Sequence, residues 1–217
     1  MADGSEHGSI IVREGLVFVL PLWLFTFIAA GAGCPWTAAL LFLLALFVTW
    51  FFRNPQRRTP VNPRQLISPA DGRVIRIEEV SDEGRTGGSF LKVSIFMNVF
   101  NVHVNRVPCS GEILSIKYKP GKFLSANLDK ASALNERNTI LIRSDEGREV
   151  MTVQIAGLIA RRIVCWLREG MKVKKGERLG LIRFGSRVEL FLPVGSILSV
   201  KVGDKVRAGE TPIGEMI

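Results

Sequence analysis

The chain has 217 residues, room for one ordinary domain or for a smaller domain with an anchor. Its 47% hydrophobic content and mean hydropathy of +0.23 are high for a fully soluble protein. The net charge of +9 comes with no basic helix and no aromatic stacking motif, which argues against nucleic acid as a partner. The three cysteines, Cys34, Cys109 and Cys165, have no metal-ligand spacing and read as free thiols, with no metal.

In chain order, residues 1–14 form a polar tail that holds His7. No charged residue then occurs between Glu14 and Arg53. One continuous helix over 15–52 would be about 57 Å long at ~1.5 Å per residue, against a hydrocarbon core of ~30 Å. Two spans, Gly15–Gly33 and Trp36–Phe52, joined at Cys34-Pro35, fit better, with Pro35 opening the second helix. The predicted anchor is therefore a transmembrane helical hairpin over 15–52, with a hairpin that dips into one leaflet as the alternative. Residues 53–65 form a basic linker, and Arg53, Arg57, Arg58 and Arg64 place the following domain on the cytoplasmic side of the cell membrane. The rest of the chain is basic too, which draws it to anionic lipid.

From Leu66 onward short runs of Val, Ile and Leu alternate with Gly, Asp, Asn and Ser. Gly72–Ile77, Leu91–Met97, Gly111–Ile116, Thr139–Ile142, Val150–Ile155, Arg187–Leu192 and Ser199–Val202 read as strands, and only Ala131–Glu136 tempts a helix. The predicted class is mainly β over 66–217. Two internal echoes refine this. Gly170-Met-Lys-Val-Lys-Lys-Gly-Glu177 returns as Gly203-Asp-Lys-Val-Arg-Ala-Gly-Glu210, and Pro69-Ala-Asp-Gly72-Arg-Val returns as Pro108-Cys-Ser-Gly111-Glu-Ile. The first pattern resembles the turns of lipoyl/biotinyl-type barrel-sandwich domains, although no carrier lysine is apparent.

Three positions invite chemistry. His103 lies in an apolar stretch studded with Asn, Asp71 in an Asp-Gly turn, and Gly185-Ser186 between two strands. Alone, each reads equally well as a core histidine or as ordinary turn chemistry. Together with their surroundings they do not. The ordered set Phe51-Phe-Arg-Asn-Pro55, Ser68-Pro-Ala-Asp-Gly72, Phe100-Asn-Val-His-Val-Asn-Arg106, Tyr118-Lys-Pro-Gly-Lys-Phe123, Asn135-Glu-Arg-Asn138 and Phe184-Gly-Ser186 resembles the phosphatidylserine decarboxylases, most closely their short, membrane-anchored form.

That resemblance implies a proenzyme that cleaves itself between Gly185 and Ser186 into a β piece, 1–185, and an α piece, 186–217, which stay together as a heterodimer. Ser186 becomes a covalent pyruvoyl cofactor. Phosphatidylserine is then decarboxylated to phosphatidylethanolamine through a Schiff base with that group. The family's Asp-His-Ser triad maps onto Asp71, His103 and Ser186. Long-form members carry two histidines three residues apart, and the second position here is Arg106. An arginine cannot serve as a base, so His103 is read as the base in both self-cleavage and turnover. Arg106 is read as a holder of substrate phosphate or carboxylate. Phe96, Met97, Val99 and Phe100 form a candidate apolar lip for the lipid. Two other readings remain at this level: a decarboxylase of a related phosphoserine ether lipid, and a non-enzymatic membrane adaptor with a lipoyl-like domain.

Overall fold

The computed structural model describes residues 9–81, 89–124, 134–158, 162–183 and 185–217; His7, Phe184 and residues 131–133 lie outside them. The chain divides into two compact units, Met1–Gln56 and Arg57–Ile217.

The first unit is a pair of apolar helices, α1 (Arg13–Gly31) and α2 (Pro35–Phe51). Pro35 stands at the start of α2, where its missing N–H costs nothing. The helices pack through Trp23, whose Nε1 donates to Thr49 Oγ1 at 3.2 Å and whose ring meets Phe42 edge-on. Val12 N–H donates to Phe52 O at 3.1 Å and closes the hairpin at its base. Neither helix has a polar face. Val17, Leu20, Leu24, Phe27, Leu40 and Leu43 all remain exposed, a continuous apolar surface of the kind that soluble monomers avoid. α1 is long and apolar enough to cross a membrane, at about 28 Å by ~1.5 Å per residue; α2, with 17 residues, is shorter.

The second unit is mainly β, as predicted. Its strands are β1 (Gln65–Ile67), β2 (Gly72–Ser81), β3 (Ser89–Met97), β4 (Val104–Arg106), β5 (Gly111–Lys119), β6 (Arg137–Ser144), β7 (Glu149–Ala156), β8 (Ile163–Cys165), β9 (Lys172–Val173), β10 (Arg178–Ile182), β11 (Ser186–Pro193), β12 (Ile197–Leu198), β13 (Lys205–Val206) and β14 (Pro212–Glu215). Eight of them form one curled half-barrel sheet in the order β13-β2-β3-β11-β7-β6-β5-β9. Two small sheets, β1-β14-β12 and β4-β10-β8, complete the fold. Ser199–Val202, expected as a strand, is instead the irregular link between β12 and β13, ending in a turn at Val202-Gly203. Asp204 accepts the Lys201 N–H on Oδ2 at 3.0 Å, and Gly203 takes φ +100°.

The large sheet is a palindrome. β13, β2, β3 and β11 on one side correspond to β9, β5, β6 and β7 on the other, and β1-β14-β12 corresponds to β4-β10-β8. Matched hydrogen bonds bear this out. Val74 N–H donates to Asp204 O and Ile113 N–H to Met171 O, both at 2.9 Å. Gly209 N–H donates to Ser68 O and Gly176 N–H to Val107 O, again both at 2.9 Å. Ile67 N–H donates to Pro108 O while Arg106 N–H donates to Pro69 O, so the two halves exchange the same bond. Register breaks fall at Val74/Arg76 and at Ile113/Ser115. Gly72 and Gly111 are both obligatory, since a Cβ would lie 2.2 Å from Phe96 O and 2.1 Å from Arg143 O, respectively. The sequence echoes are thus two copies of one structural half.

The halves are nested. One is continuous, β4 through β10. The other is interrupted: β1–β3 precede the insertion and β11–β14 follow it. Where the continuous half joins β6 to β7 by a tight hairpin at Gly147 (φ +77°), the interrupted half joins β3 to β11 only through the whole inserted half, which ends at Gly185 (φ +66°). The core lies on one face of the sheet, where Val188, Leu190 and Leu192 of β11 meet Val93 and Ile95 of β3. Each such side chain contributes about 1.5–3 kcal/mol on burial.

All three cysteines are free. Burial pushes the Cys109 thiol up to about 12, so almost no thiolate exists there at pH 8. Maleimide at that pH is expected to spare Cys109 in native protein and to label it after denaturation. Labelling of the native form at the rate of a free thiol would contradict this packing.

Candidate active site

Ser186 opens β11 in register with Met97 on β3 and Ala156 on β7, so strands flank it on both sides and it is fully buried. Its Oγ donates to Met97 Sδ at 3.4 Å. Gly185 occupies the left-handed region, at a cost of roughly 1–2 kcal/mol for a residue with a Cβ. No heavy atom lies within 4 Å of where that Cβ would stand, so the glycine answers a backbone demand and not crowding.

His103 follows an asparagine turn. Asn98 N–H donates to Asn101 Oδ1 and Phe100 N–H to Asn98 Oδ1, both at 2.9 Å, the short-range bonding that makes asparagine a turn former. This turn presents Asn101 O to His103 Nδ1 at 3.0 Å. A carbonyl can only accept, so Nδ1 carries the proton and Nε2 keeps its lone pair. Nε2 in turn receives the Gly185 N–H at 3.4 Å. The fold therefore brings the basic nitrogen of a buried imidazole (2% exposed) to the residue before Ser186.

Asp71 is placed differently from what a triad implies. Both its oxygens accept from Arg57 Nη2, at 3.0 and 2.9 Å, and Oδ1 also accepts Ala208 N–H at 2.7 Å. Asn101 O stands at His103 Nδ1, where a triad carboxylate would sit. The palindrome shows why Asp71 lies here: its counterpart Ser110 accepts Lys175 N–H on Oγ at 3.0 Å, at the same point of the other echo. Arg57 extends to Glu210 at 3.4 Å. Glu210 titrates below the usual carboxylate range; burial opposes this, but the Arg58 N–H and the Arg57 charge outweigh it.

Arg106 is buried as well. Its Nη1 donates to Gly176 O at 2.8 Å, and Gly209 packs on its Cδ, so it clamps the two echo turns. Burial pulls its pKa down to about 10, with Arg178 and Arg57 adding to the shift, and it stays a cation at neutral pH. Phe96 and Phe100 line an open cleft of about 470 Å³ together with Asp71, Arg73, Lys205 and Arg207; Met97 and Arg106 are not among its lining residues. Met97 faces the core beneath Ser186 instead.

Sequence reading missed a buried amide chain. Asn138 Nδ2 donates to Gln154 Oε1 at 3.1 Å, Gln154 Nε2 to Asn105 Oδ1 at 2.9 Å, and Asn105 Nδ2 to Met97 Sδ at 3.7 Å. A buried amide without partners costs about 1–3 kcal/mol, which these bonds offset. The available signal was a polar residue at a core position of an apolar strand, as in Val153-Gln-Ile-Ala156. No cluster of three or more metal-ligating side chains occurs among the described residues.

Fold and site together describe a β-rich domain with a curled half-barrel sheet that places a Gly-Ser bond beside a buried histidine and follows an apolar helix pair. A family model for phosphatidylserine decarboxylase matches residues 44–214. The chain is 56% identical to the phosphatidylserine decarboxylase proenzyme of Syntrophus aciditrophicus, over 96% of this chain and 99% of the relative. It is 48% identical to that of Desulfotalea psychrophila, over 95% and 97%, and 46% identical to that of Rickettsia akari, over 99% and 94%. The chain belongs to the phosphatidylserine decarboxylase family.

Proposed function

We propose that this chain is a proenzyme that opens its own 185–186 bond, converts Ser186 to a pyruvoyl group and decarboxylates phosphatidylserine to phosphatidylethanolamine. The observation that carries the reading is the bond itself: a left-handed glycine, a buried serine and an imidazole lone pair turned toward them.

Serine is a weak nucleophile until a base takes its proton, and His103 is the base within reach of this link. Ser186 Oγ turns off Met97 Sδ and attacks the Gly185 carbonyl, forming an ester as the C–N bond breaks. Elimination across Cα and Cβ of residue 186 releases residues 1–185 with a carboxylate end. Hydrolysis of the resulting dehydroalanine expels ammonia and leaves the ketone. The pocket suits that product, which replaces one hydroxymethyl by a methyl against the Met97 thioether. A pyruvoyl group supplies a ketone for the substrate amine and an electron sink as CO₂ leaves. His103 then holds or returns a proton at the same point.

The α piece, 186–217, supplies β11–β14. It stays bound because β11 lies between β3 and β7 while β13 and β14 pair with β2 and β1. Arg73, Lys205 and Arg207 beside Phe96 and Phe100 suit the phosphodiester and glycerol end of a lipid. The helix pair, 15–52, is proposed to insert in the cell membrane. A cytoplasmic orientation of the following domain is read from the basic cluster Arg53, Arg57, Arg58 and Arg64.

Intact mass and denaturing electrophoresis test this reading. The wild-type chain is expected in two pieces, the smaller with a blocked N-terminus and a carbonyl reactive toward hydroxylamine, and Ser186→Ala is expected whole and inactive. A wild-type chain that stays whole, lacks that carbonyl and still releases CO₂ from the lipid would overturn it.

A further inference from the structure

The amide chain that ends at Met97 has a direction. In the order Asn138, Gln154, Asn105, each amide donates its NH₂ to the group after it, and Gln154 and Asn105 each accept on their oxygen from the amide before. The last NH₂ and the Ser186 hydroxyl both donate to the same sulfur, at 3.7 and 3.4 Å. A thioether is a weak acceptor. Three amide dipoles in a row thus end in a donor beside Ser186 whose only acceptor among the described residues is that sulfur. Asn105, Gln154, Met97 and Ser186 are all fully buried and Asn138 is 2% exposed, so solvent does not weaken that field. The amides come from β4, β7 and β6 of the continuous half, while Ser186 opens the returning segment of the interrupted half. A donor aimed where negative charge develops is the arrangement that lowers barriers to acyl transfer, provided it is set in place beforehand.

We propose that Asn105 is a catalytic hydrogen-bond donor for self-cleavage, with Gln154 and Asn138 as its positioning residues: its NH₂ leaves the Met97 sulfur and supports the negative charge that builds at the 185–186 link when Ser186 attacks. This rests on the self-cleavage reading above and adds an electrostatic partner to the base His103. The step consumes nothing. The proton leaves Ser186 Oγ for His103 and passes on to the nitrogen of residue 186 as the C–N bond of the link gives way to a C–O bond, and Asn105 returns to the sulfur afterwards.

The test follows opening of the full chain made by cell-free translation, resolved in time by denaturing electrophoresis with and without hydroxylamine, which cuts the ester and so reports whether the acyl shift has occurred. Thermal midpoints are measured in the Ser186→Ala background, where no cleavage intervenes. Asn105→Asp keeps the shape and places an acceptor where the donor stood. Gln154→Met keeps the bulk and removes the aim without touching the Asn105–Met97 contact. Opening is expected to slow about 100-fold in Asn105→Asp and about 10-fold in Gln154→Met, with neither rescued by hydroxylamine and with midpoints that do not account for the order of the rates. Wild-type rates in both variants overturn the proposal. So does rescue by hydroxylamine, which would put the block after the acyl shift. So does a loss of rate that tracks the fall in midpoint, which would assign the amides to the core alone. A wild-type chain that never opens defeats the self-cleavage reading instead, and is distinguishable because no variant is needed to see it.

Discussion

His103→Ala is expected to slow opening of the 185–186 bond by about 10²- to 10⁴-fold, the usual contribution of a positioned general base. The geometry sets this expectation. Asn101 O fixes the proton on Nδ1, and the lone pair of Nε2 lies 3.4 Å from the Gly185 nitrogen, one residue from the hydroxyl that must lose its proton. In the unreacted chain that hydroxyl rests on Met97 Sδ, so the proton passes only after the side chain turns. His103→Gln retains a polar side chain but cannot accept a proton at neutral pH, and is expected to be as slow as alanine. Time courses of chain opening check both. Wild-type kinetics in either variant would remove His103 from the mechanism.

The second large effect is on stability. Asp71→Ala is expected to destabilise the domain by about 3–5 kcal/mol, the usual consequence of removing one partner of a buried ion pair. It leaves Arg57, whose side chain is 8% exposed, with Glu210 at 3.4 Å, and deprives Ala208 N–H of its acceptor. The double variant Arg57→Met/Asp71→Asn removes both charges and keeps an acceptor for Ala208, and is expected to recover most of the loss. Denaturant unfolding in the uncleaved Ser186→Ala background measures both. If Asp71 acts through the fold, the double variant in the native Ser186 background also recovers chain opening. If it acts on His103 directly, stability returns and opening does not. Asp71→Ala with wild-type stability would refute the packing argument.

Much of this molecule is legible in its amino-acid sequence. A charge-free stretch from Gly15 to Phe52 broken at Cys34-Pro35 specifies two apolar helices, because no other structure satisfies so long an apolar backbone. The repeated Gly-x-Lys-Val-x-x-Gly-Glu specifies matching turns, because glycines at equivalent places answer equivalent backbone demands. Gly170, Gly176, Gly203 and Gly209 do all adopt positive φ. Ser199–Val202 misled because its apolar residues look like a strand while Asp204 and Gly203 bend the chain, a local competition that composition does not reveal.

What the linear order by itself determined is the inventory: the Phe184-Gly-Ser186 motif, one domain histidine, an apolar hairpin, and two echoes of one half. Only the folded chain decided who meets whom. Asp71, His103 and Ser186 lie far apart along the chain, and a single motif reads alike whether its side chain turns to a base, an arginine or a sulfur. Nesting one half inside the other carries β11 back between β3 and β7. That return sets Gly185 against His103, gives Asp71 to Arg57, and ends a row of buried amides at Ser186. Such pairings depend on strand register between distant segments, and register is a property of the closed sheet that no local stretch of residues contains.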